Sequence, residues 1–175
     1  MRRNGYSLYE LLMTTVLIAM LLLVGIPSLS SMMARAEQRV EIDALFHAVH
    51  LARKESIMRR KVVSICPSDD GTQCAPGTDW STGWLMFENK DRDSPPFVDV
   101  GEPVIQRHKV AQNITIRANR RGFTLRATFL RATTGTFVVC DVRDRIAPRA
   151  LVISYTGRPR VALTKTSGAP YVCAD

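Results

Sequence analysis

Between Glu10 and Arg35 the chain carries no charged side chain. A stretch of that length, dominated by Leu, Met, Val and Ile, can cross a bilayer as one helix, which takes about 20 apolar residues. Glu10 stands at its threshold, where a carboxylate is expensive in lipid and ordinarily has both a partner and a task. A secretory signal carries its small-residue cleavage site after the apolar stretch. Here the stretch runs on through Pro27 into an amphipathic segment, and the small residue suited to cleavage, Gly5, comes before it. The plain alternative is a single-pass signal anchor.

Beyond Pro27 the apolar residues fall at helical spacing. Ile42, Leu45, Phe46 and Val49 follow the i, i+3, i+4, i+7 rule, extended by Ala52 and Ile57. Arg39, Glu41, Asp43, Arg53, Lys54 and Glu55 lie mainly off that stripe. One helix is predicted from about Tyr6 to about Arg60, kinked or locally unwound at Pro27. After Lys61 the pattern changes to short β-rich runs: Val62 to Cys66, Gly83 to Phe87, Pro103 to Gln106, Ile114 to Arg117, Phe123 to Leu125, Gly135 to Cys140 and Leu151 to Ser154. Gly, Pro, Asn and Asp fill the gaps, as turns require. The expected class is α+β, a long N-terminal helix packed on an antiparallel sheet. The expected divisions are 1–5 (leader), 6–34 (apolar helix), 35–60 (amphipathic helix) and 61–175 (β-rich head).

The formal net charge is +8, and the C-terminal part is rich in arginine. Such a balance favours polyanions or anionic membrane surfaces, although scattered surface charge accounts for it equally well. Four cysteines, Cys66, Cys74, Cys140 and Cys173, lack the close pairing of a zinc site and point to disulfides in an oxidising compartment. They allow three connectivities. Cys66–Cys74 closes a short loop around Asp69-Asp70-Gly71, and Cys140–Cys173 ties the C-terminal tail to a strand; this pairing is favoured.

The order Gly5, aromatic Tyr6, Glu10, apolar run, Pro27 resembles the class III leader of type IV pilins and pseudopilins. Cys66-Pro67, Asp79-Trp80, Gly83-Trp84, Phe87 and Gly157-Arg158-Pro159-Arg160 resemble the GspH/FimT branch of that family. One departure is Tyr6, where the family usually has Phe. The resemblance implies cleavage after Gly5 by a prepilin peptidase, N-methylation of Tyr6, and assembly with other pilins through the helix, with Glu10 setting register. It implies single-pass insertion in a bacterial inner membrane, a periplasmic head, and later display on a pilus. For FimT-like members it implies DNA binding during natural transformation. The alternatives are a purely structural tip or priming minor pilin, or a GspH-like pseudopilin of type II secretion.

Gly157 suits a tight turn. If the next residues are extended, Arg158 and Arg160 project together, and Pro159 between them confines the segment to an edge or loop. Paired guanidiniums fit phosphate oxygens, and the resemblance to FimT-like members implies that Arg158 and Arg160 contact double-stranded DNA without sequence choice; solvated arginines or a neighbouring subunit are the other readings. Arg120, Arg121, Arg143, Arg145, Arg149 and Lys165 are candidate extensions of the patch. Phe123 and Tyr155 are expected in or against the core rather than stacked on bases, and Trp80 and Trp84 in the core. His47 with His50, and Asp91 with Asp93, are poor metal sites: the former lack a third ligand, and the latter alternate with Lys90 and Arg92. No Ser-His-Asp or Cys-His set and no phosphate-binding glycine loop occurs, so a non-enzymatic role without cofactor is expected.

Overall fold

The computed structural model describes residues 7–127 and 132–173. Helix α1 runs from Leu8 to Arg59. Ser7 caps it in an extended conformation, its hydroxyl accepting from the Glu10 amide at 3.4 Å. Arg60, at φ 54°, ends it in the left-handed region, and its amide and that of Lys61 both return to the Ser56 carbonyl. Helical structure continues through Pro27. The expected unwinding there does not occur; the missing N–H removes one intrahelical bond and leaves the neighbouring bonds in place.

The first half of α1 is exposed all round, and the second buries one face: Ala34, Gln38, Glu41, Ile42, Leu45, Ala48, Val49, Ala52 and Ser56. Two expectations need correction. Ile57 is half exposed, because it lies about 100° round the helix from fully buried Ser56, off the face that packs on the sheets. Glu41 lies on the buried face, 3% exposed, because the body of the protein supplies hydrogen-bond partners for its carboxylate.

Among the described residues eight strands follow: β1 (Val63–Pro67), β2 (Gly83–Glu88), β3 (Val104–Lys109), β4 (Ile114–Ala118), β5 (Phe123–Leu125), β6 (Gly135–Asp141), β7 (Arg149–Ile153) and β8 (Pro159–Ala162). They form two antiparallel four-stranded sheets, ordered β3-β2-β1-β5 and β4-β6-β7-β8. Helix α1 contacts both. Phe137, Val139, Leu151 and Ile153 point from the second sheet into the shared core, so Thr136, Val138 and Val152 point outward.

The segment around Asp79-Trp80 joins the sheets. Trp80 N–H donates to the Ile116 carbonyl at 2.8 Å, and Ala118 N–H to that of Thr78 at 3.0 Å, covering the outer edge of β4. The Trp80 ring is fully buried against Phe137 and Phe123, with centroids 4.9 and 5.7 Å away. Burial of each such ring is worth roughly 2–3 kcal/mol. Trp84 stacks on His108 at 5.0 Å. A Cβ on Gly83 would stand 2.5 Å from the His108 carbonyl, so that close strand approach excludes any side chain. Cys66 is joined to Cys74, and Cys140 to Cys173, with Cα separations of 5.5 and 6.1 Å.

Candidate nucleic-acid interface

The turn between β7 and β8 is built by Ser154 and Gly157. Gly157 N–H donates to the Ser154 carbonyl at 2.9 Å, and Ser154 N–H donates to the Arg158 carbonyl at 3.1 Å. The Ser154 hydroxyl also accepts from Arg158 N–H at 3.2 Å. Gly157 takes φ +73°, where an L side chain is strained, and an added Cβ would meet Arg53 Nη1 at 2.8 Å. Arg53 itself reaches across from α1 to donate to the Thr156 carbonyl, so this turn is fastened to the helix.

Gly157 and Pro159 are buried, whereas Arg158 and Arg160 are exposed. The two guanidiniums therefore leave the protein on its solvent side, one at the turn and one on edge strand β8. Pro159 is tolerated because β8 has a single hydrogen-bonded neighbour, β7. Arg160 pairs with Val152, which faces outward. There it lines a groove of about 480 Å³ with Arg117, Lys165, Val138 and Tyr171. The C-terminal tail forms one wall of this groove. Its turn is closed by Lys165 N–H to the Ala169 carbonyl at 2.8 Å, and the Cys140–Cys173 bond anchors its end.

Arg117 belongs to this site although its sequence context gave it no distinction. Ile114 and Ile116 are buried, which places Arg117 on the opposite, outer face of β4. Asp79 Oδ2 lies 3.7 Å from Arg117 Nη2. Burial opposes ionisation of Asp79, but bonds from Ser81 and the charge of Arg117 outweigh it and hold the carboxyl below its usual range.

The other sequence candidates are dispersed. Arg120 lies at the same end of the second sheet as Arg158, its Nε donating to the Thr134 carbonyl at 3.3 Å. Arg120 and Arg121 line a separate groove with Pro95 and Pro96. Arg143 and Arg145 belong to the β6–β7 connection at the opposite end, and Arg149 opens β7 there. Arg149 shares the helix-facing side of β7 with Leu151 and Ile153. Arg145 is committed within the chain. Its Nε and Nη2 donate to the two Asp141 oxygens at 2.9 and 2.6 Å, and Nη1 to Ser30 Oγ at 3.0 Å. That bond holds the Asp141 carboxyl below the ordinary range despite its burial.

Phe123 is in the core, but Tyr155 is 63% exposed at the tip of the β7–β8 turn, outside the core position expected for it. His47 and His50 are exposed and lie against Phe46. The Asp91, Asp93 and Asp99 carboxylates converge within 4.8 Å, but Asp93 accepts from Asn89 and from Phe97 N–H, and Asp91 from Asp93 N–H. Glu10 lies in the first turn of α1 and is exposed. Gly5 and Tyr6 lie outside the described residues.

Among curated proteins none matches the chain. Solved structures do. The type IV minor pilin FimU of Pseudomonas aeruginosa is 23% identical in one crystal form, with 80% of this chain and 97% of FimU covered and a TM-score of 0.55. The minor pseudopilin EpsH of the Vibrio cholerae type 2 secretion system is 9% identical over 72% of this chain and 96% of its own, at a TM-score of 0.52. The GspH solution structure from E. coli is 13% identical over 74% of this chain and 89% of its own, at a TM-score of 0.51. These similarities establish the fold. The family model described as type II transport protein GspH matches residues 41–157, most of the head together with the last turns of the helix. The chain belongs to the GspH family of pilin-like proteins.

Proposed function

We propose that this chain is a minor pilin-like subunit whose head binds double-stranded DNA through Arg158 and Arg160, aided by Arg117 and Lys165, during uptake. The observation that carries this reading is the Gly157 turn. It exposes two arginines two residues apart, and Arg160 borders a groove bearing two further cations. Guanidiniums so arranged bind phosphate oxygens without reading bases. In this proposal cleavage after Gly5 and methylation of Tyr6 prepare the N-terminus. Glu10 pairs with a neighbouring subunit, and the exposed apolar half of α1 packs among the helices of other pilins. The role is architectural and adhesive rather than catalytic.

The test is a titration of short duplex DNA onto the full chain in neutral detergent at several salt concentrations. Replacing Arg158 and Arg160 by Ala is expected to weaken binding about equally for all sequences. It should also flatten the log-log salt slope by roughly 2. Unchanged affinity rejects the site.

The description of the matching family favours a second reading, a pseudopilin of type II protein secretion. In that case deletion of the chain blocks export of secreted proteins and leaves DNA uptake intact. The DNA reading requires the reverse.

A further inference from the structure

The uncharged run of α1, Leu11 to Ala34, is about 36 Å long at helical rise, against a hydrocarbon core of about 30 Å. With Leu11 at one boundary, the other falls near Ser30 and Ser31, where the side chains of α1 first become half-buried. At that level the β6–β7 connection returns to the helix, because Arg145 binds Ser30. The cation that reaches this level through Ser30 is therefore cancelled by a buried carboxylate, Asp141. Arg143, two residues away, is exposed and sits beside Val142, an exposed apolar side chain. Arg35 lies about 7 Å above Ser30 along the axis, and Arg39 one turn further on the same side; both are exposed. The acids at this level are Asp144, which is exposed, and Glu37, which acts on Arg145. Glu41 is occupied by His108 and the Ala111 amide.

We propose that Arg35, Arg39 and Arg143 form a docking surface for anionic phospholipid headgroups, seating the head on the leaflet before assembly. This rests on reading α1 as membrane-spanning. Guanidiniums at headgroup depth bind lipid phosphates, and their long stems let Arg39 reach back toward the interface. Val142, exposed next to Arg143, offers an apolar contact to the same leaflet. A basic side chain at an anionic leaflet contributes on the order of fivefold in partitioning.

The full chain is reconstituted into nanodiscs of mixed phosphatidylcholine and phosphatidylglycerol, and the lipids it retains are counted by native mass spectrometry. The wild-type chain is expected to retain phosphatidylglycerol about fivefold over phosphatidylcholine. The combination Arg35→Gln, Arg39→Gln and Arg143→Gln brings that ratio close to one. Removing equal charge at the far end, with Arg120→Gln, Arg158→Gln and Arg160→Gln, leaves it unchanged. Should the first combination fold poorly, Arg143→Glu alone is expected to lower the ratio. A wild-type ratio near one, or equal loss in both combinations, overturns the proposal. So does an unchanged ratio with lost filament incorporation, which assigns these arginines to a neighbouring subunit. Failure of the wild-type chain to enter the nanodisc removes the membrane reading itself, an outcome distinct from insertion without lipid preference.

Discussion

Replacing Gly157 by Ala tests how the β7–β8 turn is held. The residue sits at φ +73°, where an L side chain costs about 1–2 kcal/mol. The new methyl would stand 2.8 Å from Arg53 Nη1, 3.3 Å from Ala132 Cβ and 3.4 Å from Leu125 Cδ2. The last two are tolerable contacts. The first is relieved only by moving the guanidinium, which weakens its bond to the Thr156 carbonyl by about 1 kcal/mol, given its partial exposure. The sum is about 3 kcal/mol at most, a fall in Tm of about 6–12 °C for a chain of this size. Gly168, at φ +82° with nothing within 4 Å of its added Cβ, bears only the backbone cost and serves as control. Thermal melts of both variants, alone and combined with Arg53→Ala, separate the contributions. In the Arg53→Ala background the Gly157→Ala cost should shrink to the backbone part, a coupling of about 1 kcal/mol. Gly157→Ala no worse than Gly168→Ala, with no coupling to Arg53, would refute the reasoning.

Arg145→Ala leaves Asp141 buried without its guanidinium and should cost about 2–3 kcal/mol in a denaturant titration. The Asp141 carboxyl is depressed in the fold chiefly by that bond, so its stabilisation is complete above the ordinary value of 3.8 and fades as pH falls through the folded value. Melting temperatures measured below about pH 5 should therefore drop less steeply in the variant than in the wild type; Asp70, depressed mainly by its bonds from Thr72, keeps its share of the slope in both. Converting Cys140 and Cys173 to Ser, a pair 33 residues apart, should cost about 3.8 kcal/mol by loop closure, against about 2.6 kcal/mol for Cys66 and Cys74, 8 apart. Reversal of that order in denaturant midpoints would contradict the loop-closure account.

The stalk and seven of the strands were legible because each carries a local signal: a charge-free run, a helical stripe, or β-branched runs between turn residues. Strand β8 was legible only as a conditional extended edge, since Pro159 and two arginines mask its β character and it pairs on one side alone. The division into two sheets has no local signal. It follows from the Arg120-Arg121-Gly122 turn carrying the chain from β4 to β5, and from the Thr78–Trp80 segment closing the β4 edge. Glu41 was misread because a carboxylate in a helical stripe looks solvated until its partners are known. His108, 67 residues away and 2.8 Å distant, is one such partner. Arg117 was one arginine among many. Alternation with buried Ile114 and Ile116 was the clue to its side, but its companions Arg160 and Lys165 come from other elements.

The polar anchors along α1 explain how a filament's register could reach the head. Ser30 takes Arg145; Gln38 donates to the Val139 and Ala147 carbonyls at 3.0 and 3.1 Å; Glu41 takes His108 and the Ala111 amide; Arg53 takes the Thr156 carbonyl. Apolar packing alone tolerates sliding, since it is nonspecific in direction, whereas each of these bonds is lost by a shift of an ångström or so. They are spread from residue 30 to residue 53, over about 35 Å of helix, so rotation of the head about the stalk breaks several together. The same bonds fix the two ends of the second sheet: Arg145 and Gln38 at the β6–β7 connection, Arg53 at the Gly157 turn. Under the proposed assembly, a helix seated by Glu10 against its neighbour would dictate where Arg158 and Arg160 emerge, and the spacing of such pairs along a fibre would follow the rise of the helices rather than contacts between heads.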